Sequence, residues 1–233
     1  ASRILSIKNI WHIREQLHDG NFGVRKTILV YFIKFFSDTI VVISQTNKKA
    51  LEIDNVNVIY NSTDKSNNVS SDSIFKFKKK YKIKNNKIIT FLGGNVRSKG
   101  GDLIVDVLAR LVKKRDDFTL IYAGQFRSEF DKDLNIIEKK VYSILRYDSK
   151  ISKHIIFTNS IVNVRPLLYI TDILVWPAIT PHFSRPIMEA MMMGRAVLAS
   201  DFPSTREVIK DNYTGFLVKP KVDEIAEKLN WML

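Results

Sequence analysis

Residues 172–215 read DILVWPAITPHFSRPIMEAMMMGRAVLASDFPSTREVIKDNYTG, and this stretch decides the fold. Ile173 to Trp176 is an unbroken apolar run closed by Pro177. Ser184, Arg185 and Pro186 lie in the loop that follows. A helical pattern then starts, with Glu189 in its first turn, and stops at Gly194. A second apolar run, Ala196 to Ala199, ends in Ser200-Asp201. Strand, loop, helix, strand is the unit that sets a ligand at the carboxyl ends of parallel strands. Proline suits the first helical position, and the backbone N–H groups beside it have no intrahelical partner. Those N–H groups and the positive end of the helix dipole attract an anion. A carboxylate one turn in can accept hydrogen bonds from the vicinal hydroxyls of a sugar.

Working outward, the same alternation continues in both directions. Strands are expected at Ile88–Leu92, Phe118–Ala123, Ile155–Thr158 and Gly215–Val218. Helices are expected at Asp102–Lys114, Phe130–Arg146 and Val164–Tyr169, with a last one from Asp223. Unbroken apolar strands alternating with helices predict a parallel sheet covered on both faces. Nearer the start, Ile4–Ile13, Thr39–Ile43 and Val56–Tyr60 read as strands. Val24–Phe36 reads as a helix, and Ser44 as the cap of a helix over Thr46–Leu51. Lys65–Ser73 is polar and without apolar period, which marks a linker. The expected division is 1–64 as the end of one domain, 65–87 as linker and lysine-rich segment, and 88–233 as a second domain.

Composition narrows the function. The chain has 233 residues, 45% hydrophobic and 26% charged, ordinary values for a globular protein. It has no cysteine, which excludes disulfides, zinc–thiolate sites and a thiol nucleophile and fits a reducing compartment. No apolar run reaches membrane-spanning length. The chain opens on Ala1 within a strand-like segment and closes on Leu233 within a helical one, so a piece of a longer protein is expected. Its formal charge of +13 favours anionic partners. Lys76, Lys78, Lys79, Lys80, Lys82, Lys84 and Lys87 crowd one segment. The simpler reading is a solvated helix, and the sharper one is contact with an anionic leaflet. No nucleic-acid motif is present and the aromatics do not interleave with the lysines, so no nucleic-acid partner is expected.

At these residues the chain resembles the carboxyl-terminal half of retaining GT-B glycosyltransferases of the group 1, family 4 type. The resemblance rests on Val175-Trp176-Pro177-Ala178, Phe183, Pro186, Glu189-Ala190-Met191, Gly194-Arg195-Ala196-Val197, Ser200-Asp201, Glu207-Val208 and Thr214-Gly215-Phe216-Leu217-Val218. It implies a GT-B fold: a Rossmann-like, doubly wound parallel sheet with a partial second Rossmann-like domain, α/β in class. It implies transfer of a hexosyl unit from a nucleotide-diphosphate sugar to an acceptor hydroxyl, with retention, in glycan or surface polysaccharide synthesis. The acceptor is expected to be a glycan or a lipid-linked one. No cofactor is implied, and the expected location is the cytoplasm, with peripheral contact at the inner membrane face as an extension. In that family the second glutamate of a Glu-x7-Glu signature holds the ribose, which implies Glu189. The first glutamate falls on Pro181, and Gly-Phe-Gly-Leu is His182-Phe183-Ser184-Arg185.

The resemblance also implies that Lys99, after Gly93-Gly94, neutralises the departing diphosphate. The family's arginine in this loop falls on Gly94, and Arg97 is the nearest replacement. Phe157 and Thr158 stand where the family's strand end meets the nucleobase, and His182 beside the expected donor sugar. The expected catalytic residues are therefore Lys99, Arg97 and His182. Those expected to bind nucleotide sugar are Gly93, Gly94, Lys99, Phe157, Thr158, Phe183, Ser184, Arg185 and Glu189. Lys99 also reads as a solvated helix-start lysine, and His182 equally as a solvent-exposed loop histidine.

A dinucleotide dehydrogenase fails on detail. Gly93-Gly94 does not continue as Gly-x-Gly-x-x-Gly, and Ala123-Gly124-Gln125 lacks the ribose-binding acid. Asp131-Lys132-Asp133 begins a charged helix rather than ending a strand, and His12 and His18 lack zinc-site spacing, so no metal is expected. Arg14 or His12 could meet acceptor or phosphate, with an Arg14–Glu15 surface pair and a core Trp11 as the alternative. Glu207, three residues after Ser204, fits a capping box, with a structural and a ligand role both open to it. The rival functions are a catalytically silent nucleotide-sugar-binding subunit and a basic adaptor for membranes or nucleic acid.

Overall fold

The apolar runs become the strands of two parallel sheets in a computed structural model. It describes residues 7–14, 24–63, 68–84, 87–127, 129, 130, 132 and 134–233. The chain divides into two compact units. The first comprises residues 1–62 together with 181–183 and 202–207, and the second holds the remainder.

In the first unit the elements are β1 (Ile10–Ile13), α1 (Val24–Phe36), β2 (Thr39–Val42), α2 (Gln45–Leu51) and β3 (Val56–Val58). The strands pair in the order β1-β2-β3, all parallel. Ile33, Ile40, Val42, Leu51 and Val56 form the core. Ser44 caps α2 by accepting from the Asn47 N–H at 2.9 Å. Trp11, His12 and Arg14 are exposed, so the expectation of Trp11 in a core is not met. Glu15 and His18, named above, lie outside the described residues.

The second unit holds α3 (Ser71–Lys80), β4 (Lys87–Phe91), α4 (Leu103–Leu111), β5 (Phe118–Ala123), α5 (Ile136–Tyr147), α6 (Ser149–Ser152) and β6 (Ile155–Asn159). It continues with α7 (Arg165–Ile170), β7 (Ile173–Trp176), α8 (Arg185–Met192), β8 (Ala196–Ser200), β9 (Phe216–Val218) and α10 (Val222–Met232). The short helix α9 (Pro203–Arg206) falls in the first unit. Strand order is β6-β5-β4-β7-β8-β9, parallel throughout. Chain progression runs outward one way from β4 to β6 and the other way from β7 to β9. The carboxyl ends of β4 and β7 therefore flank the topological switch point, where such sheets bind ligands. Successive strand residues feed opposite faces. Ile89, Phe91 and Leu120 pack with α4, while Ile88 and Ile121 pack with Phe77 and Leu167.

Two elements differ from the sequence expectation for identifiable reasons. The helix expected at Phe130–Arg146 begins instead at Ile136. Asn135 Oδ1 accepts from the N–H groups of Ile137 and Glu138, and Glu138 Oε2 accepts from the Asn135 N–H, a reciprocal cap that fixes the start. Asp131 and Asp133 lie outside the described residues. The helix expected in the lysine-rich segment is present as α3, but it starts at Ser71, inside the expected linker, and it is not wholly solvated, because Phe77 is buried with Ile83 against the six-stranded sheet.

Candidate functional site

At the switch point, α8 starts from Ser184 after the β7 loop. An N-capping serine normally accepts from the N–H of the second or third helical residue. Here Pro186 has no N–H to give, and the hydroxyl of Ser184, a residue 2% exposed, makes no hydrogen bond among the described residues. The first-turn N–H groups of α8 are therefore left without a side-chain cap. Glu189 follows one turn in. Its carboxylate lies 3.3 Å from Arg185 Nε. Both side chains line a cleft of about 240 Å³ with Leu92, Ala123, Gly124, Ser160, Ile161, Val164 and Pro186.

The floor of this cleft comes from the loops after β4 and β5, which touch backbone to backbone. Gly94 sits at φ +61° and Gly124 at φ +125°, and a Cβ on Gly124 would lie 2.6 Å from Gly94 Cα. Only glycine fits that approach without strain. The Gly94 N–H donates to the Ala123 carbonyl at 3.1 Å. Tyr122 lies beneath, its hydroxyl 2.6 Å from the Gly94 carbonyl and 3.1 Å from that of Gly101. Burial pushes the ionisation of this phenol up, and the charges of Asp102 and Glu138 add to the effect. The third wall begins at Asn159, held in the left-handed region at φ +56°. Its carbonyl accepts from the Gly124 N–H at 2.9 Å and its side-chain oxygen from the Phe126 N–H at 3.3 Å. The turn so made brings Ser160 and Ile161 to the cleft.

Of the residues singled out by sequence, Arg185 and Glu189 line this cleft, and Gly93 and Gly94 are buried in its supporting loop. Phe157 is committed to an aromatic cluster, 4.5 Å from Phe126 and 5.3 Å from Tyr122 between ring centroids. The Thr158 carbonyl accepts from the Tyr81 hydroxyl at 3.0 Å. Ser160 and Ile161, rather than Phe157 and Thr158, reach the cleft. Lys99 ends a 3-10 turn, Arg97–Lys99, and is half-buried with no ion pair among the described residues. The Ser98 carbonyl beside it accepts from the Ile179 N–H at 3.0 Å, which ties this turn to the loop after β7. Arg97 is exposed and stands 3.8 Å from Asp102. His182 and Phe183 belong to the first unit, where the Ser204 hydroxyl donates to the His182 carbonyl at 3.2 Å and the Phe183 ring lies 6.3 Å from that of Tyr60.

Glu207 does not form the capping box expected with Ser204. The Thr205 hydroxyl accepts from the Phe202 N–H instead. Within the first unit, the Glu207 carboxylate accepts from the N–H groups of Gln45 and Thr46 at 2.8 and 2.6 Å. It also accepts from the Thr46 hydroxyl and, at 3.3 Å, from the Tyr60 hydroxyl. Burial and the Glu207 charge raise the Tyr60 pKa. No group of three or more acidic or histidine side chains able to hold a metal is present among the described residues. No helix among them is long and apolar enough to cross a membrane.

A parallel sheet with this strand order, carrying a cleft at its switch point, is a Rossmann-like architecture, and together with the partial second sheet it has the GT-B fold of solved glycosyltransferases. The family model of glycosyl transferases group 1 matches residues 72–233, and the chain belongs to that family. HepE of Anabaena, solved in complex with UDP-glucose, superposes with a TM-score of 0.85 at 21% identity, covering 99% of this chain and 64% of HepE. A glycosyltransferase from Rickettsia africae gives a TM-score of 0.77 at 20% identity, covering 99% of this chain and 68% of that one. YtcC of Bacillus subtilis (strain 168) is 26% identical over 148 residues, 61% of this chain and 35% of YtcC. The chain thus spans about a third of YtcC and just under two thirds of HepE.

Proposed function

We propose that this chain forms the nucleotide-sugar-binding part of a glycosyltransferase that moves a hexosyl unit from a nucleotide-diphosphate sugar to an acceptor hydroxyl with retention of configuration. The observation that carries the reading is Glu189, a carboxylate in a switch-point cleft, one turn behind a helix N-terminus whose first N–H groups have no side-chain cap. The carboxylate suits the two hydroxyls of a ribose, and the helix N-terminus suits the diphosphate attached to it. Ser160 and Ile161, at the end of β6, suit the nucleobase. Chemistry at the anomeric carbon leaves negative charge on the departing diphosphate. Fixed N–H dipoles and the half-buried Lys99 would stabilise that charge as it develops.

HepE, with UDP and UDP-glucose bound in its crystals, favours a uridine nucleotide here too. A glycan or lipid-linked acceptor, family 4 membership and a role in polysaccharide synthesis follow from the resemblance. Work at an anionic membrane surface fits the exposed lysines of α3, among them Lys79 and Lys80. Replacing Glu189 with alanine in the full-length protein is expected to lower nucleoside diphosphate affinity by about 10-fold or more, as loss of charge-assisted hydrogen bonds requires. Titration calorimetry measures it, and unchanged affinity would remove the basis of the reading.

A further inference from the structure

Among the described residues that line the cleft, Arg185 is the cation. Its guanidinium stands at the first position of α8, 64% exposed, and its partner Glu189 is 26% exposed. Exposed pairs four residues apart on a helix gain little from each other, so this one parts easily. The other basic groups of the neighbourhood are differently disposed. Arg97 faces Asp102, and Lys99 is not part of the cleft lining. Position 94 is unsuited to a long side chain, because its φ is +61° and a Cβ there would lie 3.2 Å from the Gln125 backbone nitrogen. A cation at the mouth of α8 also adds to the positive end of the helix.

If Glu189 accepts hydrogen bonds from a ribose, its oxygens turn to the hydroxyls and the guanidinium loses its partner. The nearest new anion is then the diphosphate carried by that same ribose, and a guanidinium fork matches two phosphate oxygens. We infer that Arg185 is a partner-exchanging diphosphate ligand, paired with Glu189 before nucleotide binds and passed to a phosphate oxygen when ribose occupies that carboxylate. The inference rests on the nucleotide-sugar reading above and assigns that site a second cationic group from α8.

The test compares nucleoside diphosphates with their nucleosides on the full-length protein. Uridine, guanosine and adenosine diphosphates are titrated by calorimetry, and the parent nucleosides by ligand-observed NMR. Arg185→Gln is expected to weaken the bound diphosphate by about 10-fold or more while leaving the nucleoside unchanged or tighter, since Glu189 is then free. Arg185→Lys, which keeps the charge and loses the fork, is expected to recover part of the loss. Added salt is expected to narrow the gap between parent and Arg185→Gln for the diphosphate alone.

Four results decide against it. Arg185→Gln leaving diphosphate affinity unchanged, or lowering nucleoside and diphosphate by the same factor, overturns the inference. If Glu189→Ala still weakens both ligands, the site reading survives that result. A parent protein that binds none of the ligands, or a Glu189→Ala variant that binds both as well as the parent, overturns reading and inference together.

Discussion

Tyr122 places a phenol in the core of the second unit, with its single proton shared between two loop carbonyls. Its folded pKa is raised, by burial first and then by Asp102 and Glu138. The folded state therefore keeps a proton that the unfolded chain releases near pH 10. The stabilisation is complete below that pH and is lost as pH rises from there toward the folded value. Tyr122→Phe removes the hydroxyl and leaves the Gly94 and Gly101 carbonyls without this donor. It is expected to cost about 1–2 kcal/mol at neutral pH. Because the variant has no phenol here to ionise, the gap between it and the parent is expected to narrow above pH 10. Denaturant melts at pH 7, 9 and 11 measure both effects, and a gap that stays constant would mean that ionisation of Tyr122 does not oppose folding.

Element by element, the sequence revealed what depends on local pattern and concealed what depends on contacts far along the chain. The strand β7 and the body of β8 are unbroken apolar runs, β4 and β5 are interrupted inside only by Thr90 and Thr119, and both faces of their sheet are covered, so composition marks them. Helix α8 and its Glu189 are equally legible, from Pro186 at the start and Gly194 at the end. The burial of α3 is not, because seven charged or hydroxyl-bearing residues among ten make it read as solvated and hide its anchor, Phe77. Ser160 and Ile161 were missed because their approach to the cleft depends on the left-handed turn at Asn159, which Gly124 and Phe126 hold from another strand. The signal available was a glycine ending one strand beside an asparagine ending its neighbour. That pair of turns makes a prediction. Gly124→Ala would drive a Cβ against Gly94 in a backbone conformation that alanine avoids. A cost of about 1–3 kcal/mol is expected from the strain alone, with a matching loss of nucleotide affinity as the two loops separate. Thermal melts and titrations of one variant read both, and a Gly124→Ala protein as stable as its parent would show that the two loops yield to each other at no cost.

For the whole molecule, the two units hold very different amounts of core. Among the described residues, the first buries five hydrophobic side chains in its cluster, whereas the second packs Ile89, Phe91, Leu108, Leu120, Tyr122 and many others into three clusters. Small cores give marginal stability. The first unit also leaves Ile10, Ile28, Tyr31, Phe32 and Phe35 in solvent, apolar area that adds nothing to its stability. Part of what holds it is polar: Glu207 accepts from the first two N–H groups of α2 and from two hydroxyls. The segment bearing Glu207 lies between β8 and β9, strands of the second unit, so the first unit depends on chain that the second sheet anchors. Melting the second unit must release that segment, but melting the first leaves the six-stranded sheet its own core. Scanning calorimetry of this chain is therefore expected to resolve two transitions, the first unit melting at the lower temperature. Glu207→Ala is expected to remove about 1–3 kcal/mol from that unit. At about 4–8 °C per kcal/mol for a unit of this size, the lower transition should fall by several degrees while the upper one stays in place. Tyr122→Phe should move the upper transition, since its contacts lie in the second unit. A single transition shifted alike by both substitutions would mean that the units unfold as one, and the dependence of the first on Glu207 would then have no separate thermodynamic meaning.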